Sequence, residues 1–191
     1  MKNKIFKHED KQKMKNEISN LNLNDFLMLA VEVLKTTQKG SREAIKYVYS
    51  DDEKLVVTDG CILVTMDKTT ENIAPGFYNV AKIGKELTLI PASYEGKYPN
   101  YKMVIPKYSS KPLAMVFTKK EYMPNLIKLQ DMTIKYCGGY VAEEYFELLK
   151  KSEFTYKVIV PINQCGEDER HPVLFKSNKL TFVVMPKSIN K

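Results

Sequence analysis

The chain has 191 residues, 43% of them hydrophobic and 28% charged, with a formal net charge of +7 at pH 7. That length allows one domain or two small ones, the composition excludes a disordered chain, and no apolar run is long enough to cross a bilayer as a helix. Three dispersed cysteines, Cys61, Cys137 and Cys165, and the lone histidines His8 and His171 form no CxxC or zinc spacing. Neither a disulfide framework, a structural metal nor a cofactor is expected.

The stretch Met1–Lys7 is basic but has no apolar core behind it, so it does not read as a secretory signal, and a cytoplasmic location is expected. The positive balance favours a polyanionic partner, nucleic acid first, against the plainer account that the charge serves solubility. Residues 1–16 alternate Lys2, Lys4, Lys7, Lys11, Lys13 and Lys15 with few apolar residues and read as a flexible basic arm.

From Asn24 a helix is signalled. Asn24 suits an N-cap and Asp25 the first turn, while Phe26, Leu27, Ala30, Val31, Val33 and Leu34 recur at helical spacing. Lys35, Lys39 and Gly40 mark its end. Strands are expected at Ala44–Tyr49, Lys54–Val57 and Cys61–Met66, the last two joined by a tight hairpin turn at Asp59-Gly60. Phe77–Val80 and Glu86–Ile90 read as two further strands. Glu95–Pro106, with Gly96 and prolines at both ends, reads as an extended connector with aromatic anchors.

Residues 108–112 read as a linker. Beyond it, Leu113–Phe117 is a strand and Lys119–Gln130 a short helix in which Pro124 fits only near the start. Thr133–Cys137 reads as a strand ended by Gly138-Gly139. Ala142–Lys151 is a helix, with Glu143 and Glu144 in its first turn and Lys150 and Lys151 in its last. Strands follow at Tyr156–Val160, Val173–Phe175 and Leu180–Val184. The sum is an α+β protein with helices packed on antiparallel sheets. Its expected division is the arm 1–16, a domain 17–107, the linker 108–112 and a domain 113–191. A single domain with an insertion at about residues 68–138 is the other arrangement.

No GxSxG, P-loop, GxGxxG or HExxH is present, and Asp51-Asp52 and Glu167-Asp168-Glu169 read as solvated turn charges. A binding protein is expected rather than an enzyme.

Three separated stretches together resemble the bacterial sliding clamp, the β subunit of DNA polymerase III. Leu55-Val56-Val57-Thr58-Asp59-Gly60-Cys61-Ile62-Leu63 resembles a middle-domain motif, typically ATDGHRL. Glu95-Gly96-Lys97-Tyr98-Pro99-Asn100-Tyr101-Lys102-Met103-Val104-Ile105-Pro106 resembles the EGRFPDYRRVLP that closes that domain. Tyr140–Leu149, Pro172-Val173-Leu174 and Phe182-Val183-Val184-Met185-Pro186 resemble the last helix and strands, which end in YVVMPMRL. The resemblance covers roughly half the chain.

What it implies is a DNA-clamp-like fold of two abridged domains. The implied function is that of a sliding-clamp-like processivity factor, of phage or mobile-element type, that encircles or binds duplex DNA without reading bases and tethers a polymerase or other client. Lys35, Lys39, Arg42, Lys150 and Lys151, at or near helix ends, are the implied phosphate contacts. Cations near a helix C-terminus also suit the dipole. Thr58, Gly60, Leu63, Pro99, Val104, Val183, Met185 and Pro186 are the implied wall of a pocket for a short linear peptide; packing of a domain interface is the plainer account. Departures stand at Cys61-Ile62 for His-Arg, at Met103 for an arginine, and after Met185-Pro186, where an arginine is absent. Ring closure as a trimer and a non-ring accessory, adaptor or decoy that binds clamp-seeking peptides are both open.

Overall fold

The structure, a computed structural model, describes residues 23–37, 41–68, 72–107, 113–117, 122–151, 156–160, 171–177 and 180–188. The strands are β1 (Val48–Ser50), β2 (Lys54–Thr58), β3 (Ile62–Asp67), β4 (Gly76–Ile83), β5 (Glu86–Pro91), β6 (Leu113–Phe117), β7 (Gly139–Tyr140), β8 (Tyr156–Val160), β9 (Val173–Lys176), β10 (Leu180–Val184) and β11 (Lys187–Ser188). Residues 23–36 form helix α1, Tyr122–Cys137 form α2 and Glu143–Lys151 form α3.

Nine strands make one antiparallel sheet in the order β5-β4-β1-β2-β3-β10-β9-β8-β6, and β7 pairs with β11. The two halves of the chain meet at β3 and β10, where Ile62 to Met66 pair with Val184 to Leu180. Side chains alternate between the faces of a strand. Leu55, Val57, Ile62, Val64, Met66, Val173, Phe175, Leu180, Phe182 and Val184 therefore share one face, and the helices close over it. Phe26, Leu27, Leu29, Ala30 and Val33 of α1, Leu129 and Cys137 of α2, and Tyr145, Phe146, Leu148 and Leu149 of α3 complete a single core. The expected linker 108–112 and arm 1–16 lie outside the described residues.

Two expected elements change type. Thr133–Cys137, read as a strand, is the last part of α2. Leu129, Thr133 and Cys137 are buried four apart on one helical face, while Ile134 and Lys135 are exposed, so the helical period overrides the β-branched pair Thr133-Ile134. The helix ends where Gly138 takes a left-handed φ of 66°. Pro124 lies in the first turn, where its missing N–H leaves no bond broken. Ala44–Tyr49 splits into a 3-10 turn, Glu43–Lys46, and β1, because the adjacent Ala44 and Ile45 are both buried and the Lys46 ammonium reaches back to Glu43 at 2.5 Å.

Gln130 joins α2 to the segment ahead of α3. Its side-chain amide donates to the Val141 carbonyl (2.7 Å) and its oxygen accepts from the Val141 N–H (3.0 Å). Val141 would otherwise leave both backbone groups buried without partners.

The opposite face of the sheet is covered by chain without regular structure. Val56, Leu63, Leu174 and Val183 point that way, and the connector 92–107 lays Tyr98, Tyr101 and Ile105 over them. The expected extended connector is thus observed, with a short 3-10 turn at Tyr101–Met103.

Candidate functional site

The β2–β3 hairpin builds one wall of the site. Thr58 pairs with Leu63, and the Asp59 N–H donates to the Ile62 carbonyl at 3.3 Å, which puts Gly60-Cys61 at the tip. Gly60 holds the positive φ of 97° that a glycine at the first loop position supplies. The turn lies one residue later than the Asp59-Gly60 expected, and Asp59 braces it from the side. Its Oδ1 accepts the Cys61 and Ile62 N–H groups, each at 2.8 Å. Thr58 Oγ1 donates to the Ile62 carbonyl (2.6 Å) and accepts the Gly60 N–H (3.0 Å).

Two outside ties hold the hairpin in place. The Thr36 hydroxyl, at the end of α1, lies 2.8 Å from both Asp59 Oδ2 and the Val33 carbonyl, which share its one proton. The Met185 N–H donates to the Cys61 carbonyl at 3.0 Å, so the chain leaving β10 is fastened to the hairpin tip. Tyr145 of α3 also lies at this corner. Burial, together with the nearby Asp59 and Cys61, pushes its hydroxyl above the ordinary tyrosine range.

Between the hairpin, the connector and the end of β10 lies a cleft of about 360 Å3, at the small end of ligand-site volumes. Seven of the eight implied pocket residues line it: Thr58, Gly60, Leu63, Pro99, Val104, Val183 and Met185. Pro186 does not. It is buried beside Gly139, where a side chain would come within 2.3 Å of the Lys187 carbonyl and 3.0 Å of the Pro186 ring. That close approach lets β7 and β11 pair.

Ser41, Arg42, Ile45, Asp59, Cys61, Ile62, Tyr98 and Tyr101 also line the cleft and were not read as pocket residues from sequence. Arg42 and Ile45 come together because the 3-10 turn puts residues three apart on one side, a spacing hidden when the segment is taken for a strand. Asp59 is committed to its turn and to Thr36. The Arg42 guanidinium also lines the cleft, and the neighbouring Glu43 is held instead by Lys46 and by the Tyr47 hydroxyl at 3.2 Å, so among the described residues no carboxylate pairs with Arg42. Cys61 is exposed and Cys137 buried.

The implied DNA contacts fall on several elements. Lys35 is exposed on α1 and paired with Glu32 at 2.9 Å. Arg42 lies at the cleft. Lys150 and Lys151 lie in the last turn of α3, and Lys39 lies outside the described residues.

On the far side of the connector is a second, more open cavity of about 740 Å3, which shares Tyr98, Pro99 and Tyr101 with the first. Asp51 anchors the connector here. It accepts hydrogen bonds from the Tyr101 hydroxyl (2.5 Å) and the N–H groups of Glu53 (2.8 Å) and Lys54 (2.7 Å), and pairs with Lys102 at 3.3 Å. Burial alone would raise the carboxyl, but these donors outweigh it and hold its pKa at about 2. Tyr101 is pushed up by burial and by its bond to Asp51.

Tyr98 is held differently. Its ring stacks on Tyr49, centroids 4.7 Å apart and planes 8° from parallel, with Phe77 tilted beside it at 6.1 Å. Its hydroxyl is buried and has no hydrogen-bond partner, a state that costs about 1–3 kcal/mol. Burial pushes the group upward.

The fold and this site define an α+β protein with helices on one face of an antiparallel sheet and an apolar cleft on the other. Among solved structures, the chain is similar to the DNA polymerase III β chain of Streptococcus pneumoniae (12% identity over 90% of this chain and 64% of that one, TM-score 0.45). It is also similar to the DNA polymerase III β subunit of Thermotoga maritima (10%, 87% and 62%, TM-score 0.49) and to the DNA polymerase sliding clamp of Bacillus subtilis (10%, 90% and 63%, TM-score 0.48). The chain spans less than two thirds of each of these proteins. No protein-family model matches the sequence, and neither does any curated protein.

Proposed function

We propose that the chain is a non-catalytic, sliding-clamp-like tethering factor. In this reading the cleft takes a short linear peptide from a polymerase or other client, and the protein associates with duplex DNA through its backbone charge. One observation carries the reading: three stretches far apart in sequence, quoted above for their resemblance to one family, converge on a single apolar cleft. Apolar anchors in such a cleft supply affinity, and the unpaired Arg42 favours an acidic residue beside them. The division into domains 17–107 and 113–191 and a cytoplasmic location belong to the same proposal.

A second reading is a non-ring adaptor that binds the same peptides without enclosing DNA. The charge on the described helix surfaces favours it. Glu143, Glu144 and Glu147 share α3 with Lys150 and Lys151, and Asp131 shares α2 with Lys128 and Lys135, so each helix carries both signs, whereas a duplex selects a basic stripe.

Light scattering and loading onto nicked circular DNA separate the two. A closed oligomer retained on circular DNA and released on linearisation supports the clamp. A monomer at every concentration, with no retention, leaves the adaptor. Failure to bind any apolar peptide in titration would remove both.

A further inference from the structure

The two cavities on the outer face share Tyr98, Pro99 and Tyr101 in their linings. This shared stretch is fixed at both ends. Upstream, the Ala92 N–H donates to the Phe77 carbonyl at 2.8 Å. Downstream, Tyr101 is tied to Asp51 at 2.5 Å and Lys102 to Asp51 at 3.3 Å. Between these anchors Tyr98 is held by its stack on Tyr49 and by apolar contact with the outer-face cluster. Its hydroxyl is the single buried side-chain polar atom without a partner among the described residues.

Stacking and apolar contact are tolerant of sliding, whereas hydrogen bonds fix a position. A ring held only by the tolerant kind, with an unsatisfied hydroxyl, is therefore destabilised where it sits and weakly opposed if it moves. Any displacement that gives the hydroxyl a partner recovers a hydrogen bond, and the anchors at Ala92 and Tyr101 confine the movement to the segment around Tyr98.

We propose that Tyr98 is a movable partition. An extended peptide seated in the cleft displaces it, gives its hydroxyl a hydrogen-bond partner, and so occupies both cavities as one continuous groove. This rests on the peptide reading of the cleft. Its added content is that the partner segment is longer than the cleft alone accommodates, and that its extra residues are read beside Lys97 and Asn100, which line the second cavity.

The test uses the full chain, the Tyr98→Phe variant and two fluorescein-labelled peptides sharing one leucine-phenylalanine anchor, of five and ten residues. Wild-type protein binds the longer peptide about fivefold more tightly than the shorter, and in Tyr98→Phe the ratio of the two affinities falls to about one, whatever the change in the shorter peptide's own affinity. The same variant unfolds at an equal or higher temperature, since it loses only an unsatisfied group. A lower unfolding temperature overturns the partition, because the hydroxyl then has a structural partner. So does a length gain that survives in Tyr98→Phe. Equal wild-type affinity for both peptides overturns the partition and leaves the cleft reading standing, whereas absence of binding to either removes both.

Discussion

The two faces of the sheet are built from the same strands, yet they end in different states. On the inner face the described helices and strands share one core, in which Phe146, Phe175 and Phe182 are completely buried. On the outer face the buried cluster among the described residues is five, and an irregular connector with several tyrosines roofs it. A helix offers a continuous apolar stripe that closes over a sheet without gaps, whereas an irregular segment touches it only at its anchors. The contrast teaches where binding capacity resides: the inner face holds the fold, and the incompletely covered outer face holds the cleft.

The contrast can be broken most forcefully from the inner face. Phe146→Ala removes a ring that meets Phe175 edge to face at 6.3 Å and should cost about 3–5 kcal/mol in urea unfolding. At the boundary between the faces, Asp59→Ala removes the acceptor for two turn amides and for Thr36. A loss of about 1–3 kcal/mol is expected, together with weaker peptide binding, because the hairpin wall loosens. An unchanged unfolding midpoint would mean the turn holds without its brace.

On the outer face the connector's main anchor is sensitive to acid. Asp51 is held below its ordinary value of 3.8, at about 2. The folded state thus binds its proton less readily than the unfolded chain. The resulting stability is complete above about pH 4 and is lost as pH falls through about 2. Its size is on the order of 2 kcal/mol. The stability difference between wild type and Asp51→Asn should shrink across that window, and a difference that does not vary with pH would remove the anchor.

Met185→Ala sharpens the contrast in the other direction. Met185 is only half-buried, so unfolding should shift by under about 1 kcal/mol while peptide affinity falls about tenfold. Comparable losses in both would make the cleft ordinary core. The smallest effect is expected from Lys35→Ala, whose ion pair with Glu32 is exposed and contributes less than about 0.5 kcal/mol. If α1 faces DNA, the same change lowers the salt slope of binding by about one. An unchanged slope favours the adaptor.

The helices and most strands were legible because their apolar residues repeat at the period of the element. Leu180, Phe182 and Val184 alternate with Thr181 and Val183, and Phe26, Ala30 and Val33 recur at three and four. The misreadings share one cause. Thr133-Ile134 and Ala44-Ile45 have strand-like side chains, but their burial is decided by what packs on them. Of the cleft, the lining residues in Thr58–Leu63, Pro99–Val104 and Val183–Met185 were visible as motifs. Arg42 and Ile45 were not, since a 3-10 turn leaves too short a pattern to register. Tyr98 was visible as an aromatic anchor, but nothing in its neighbours in sequence signals that its hydroxyl lacks a partner.

Local chemistry alone therefore settles the α+β class, the sites of most turns and the apolar character of each strand, because periodicity and turn preference act over a few residues. It does not settle that β3 lies against β10, that both halves share one core, or that Tyr98 stands between two cavities. Those depend on contacts between residues far apart in the chain, whose cost in loop closure is met only when the whole sheet assembles.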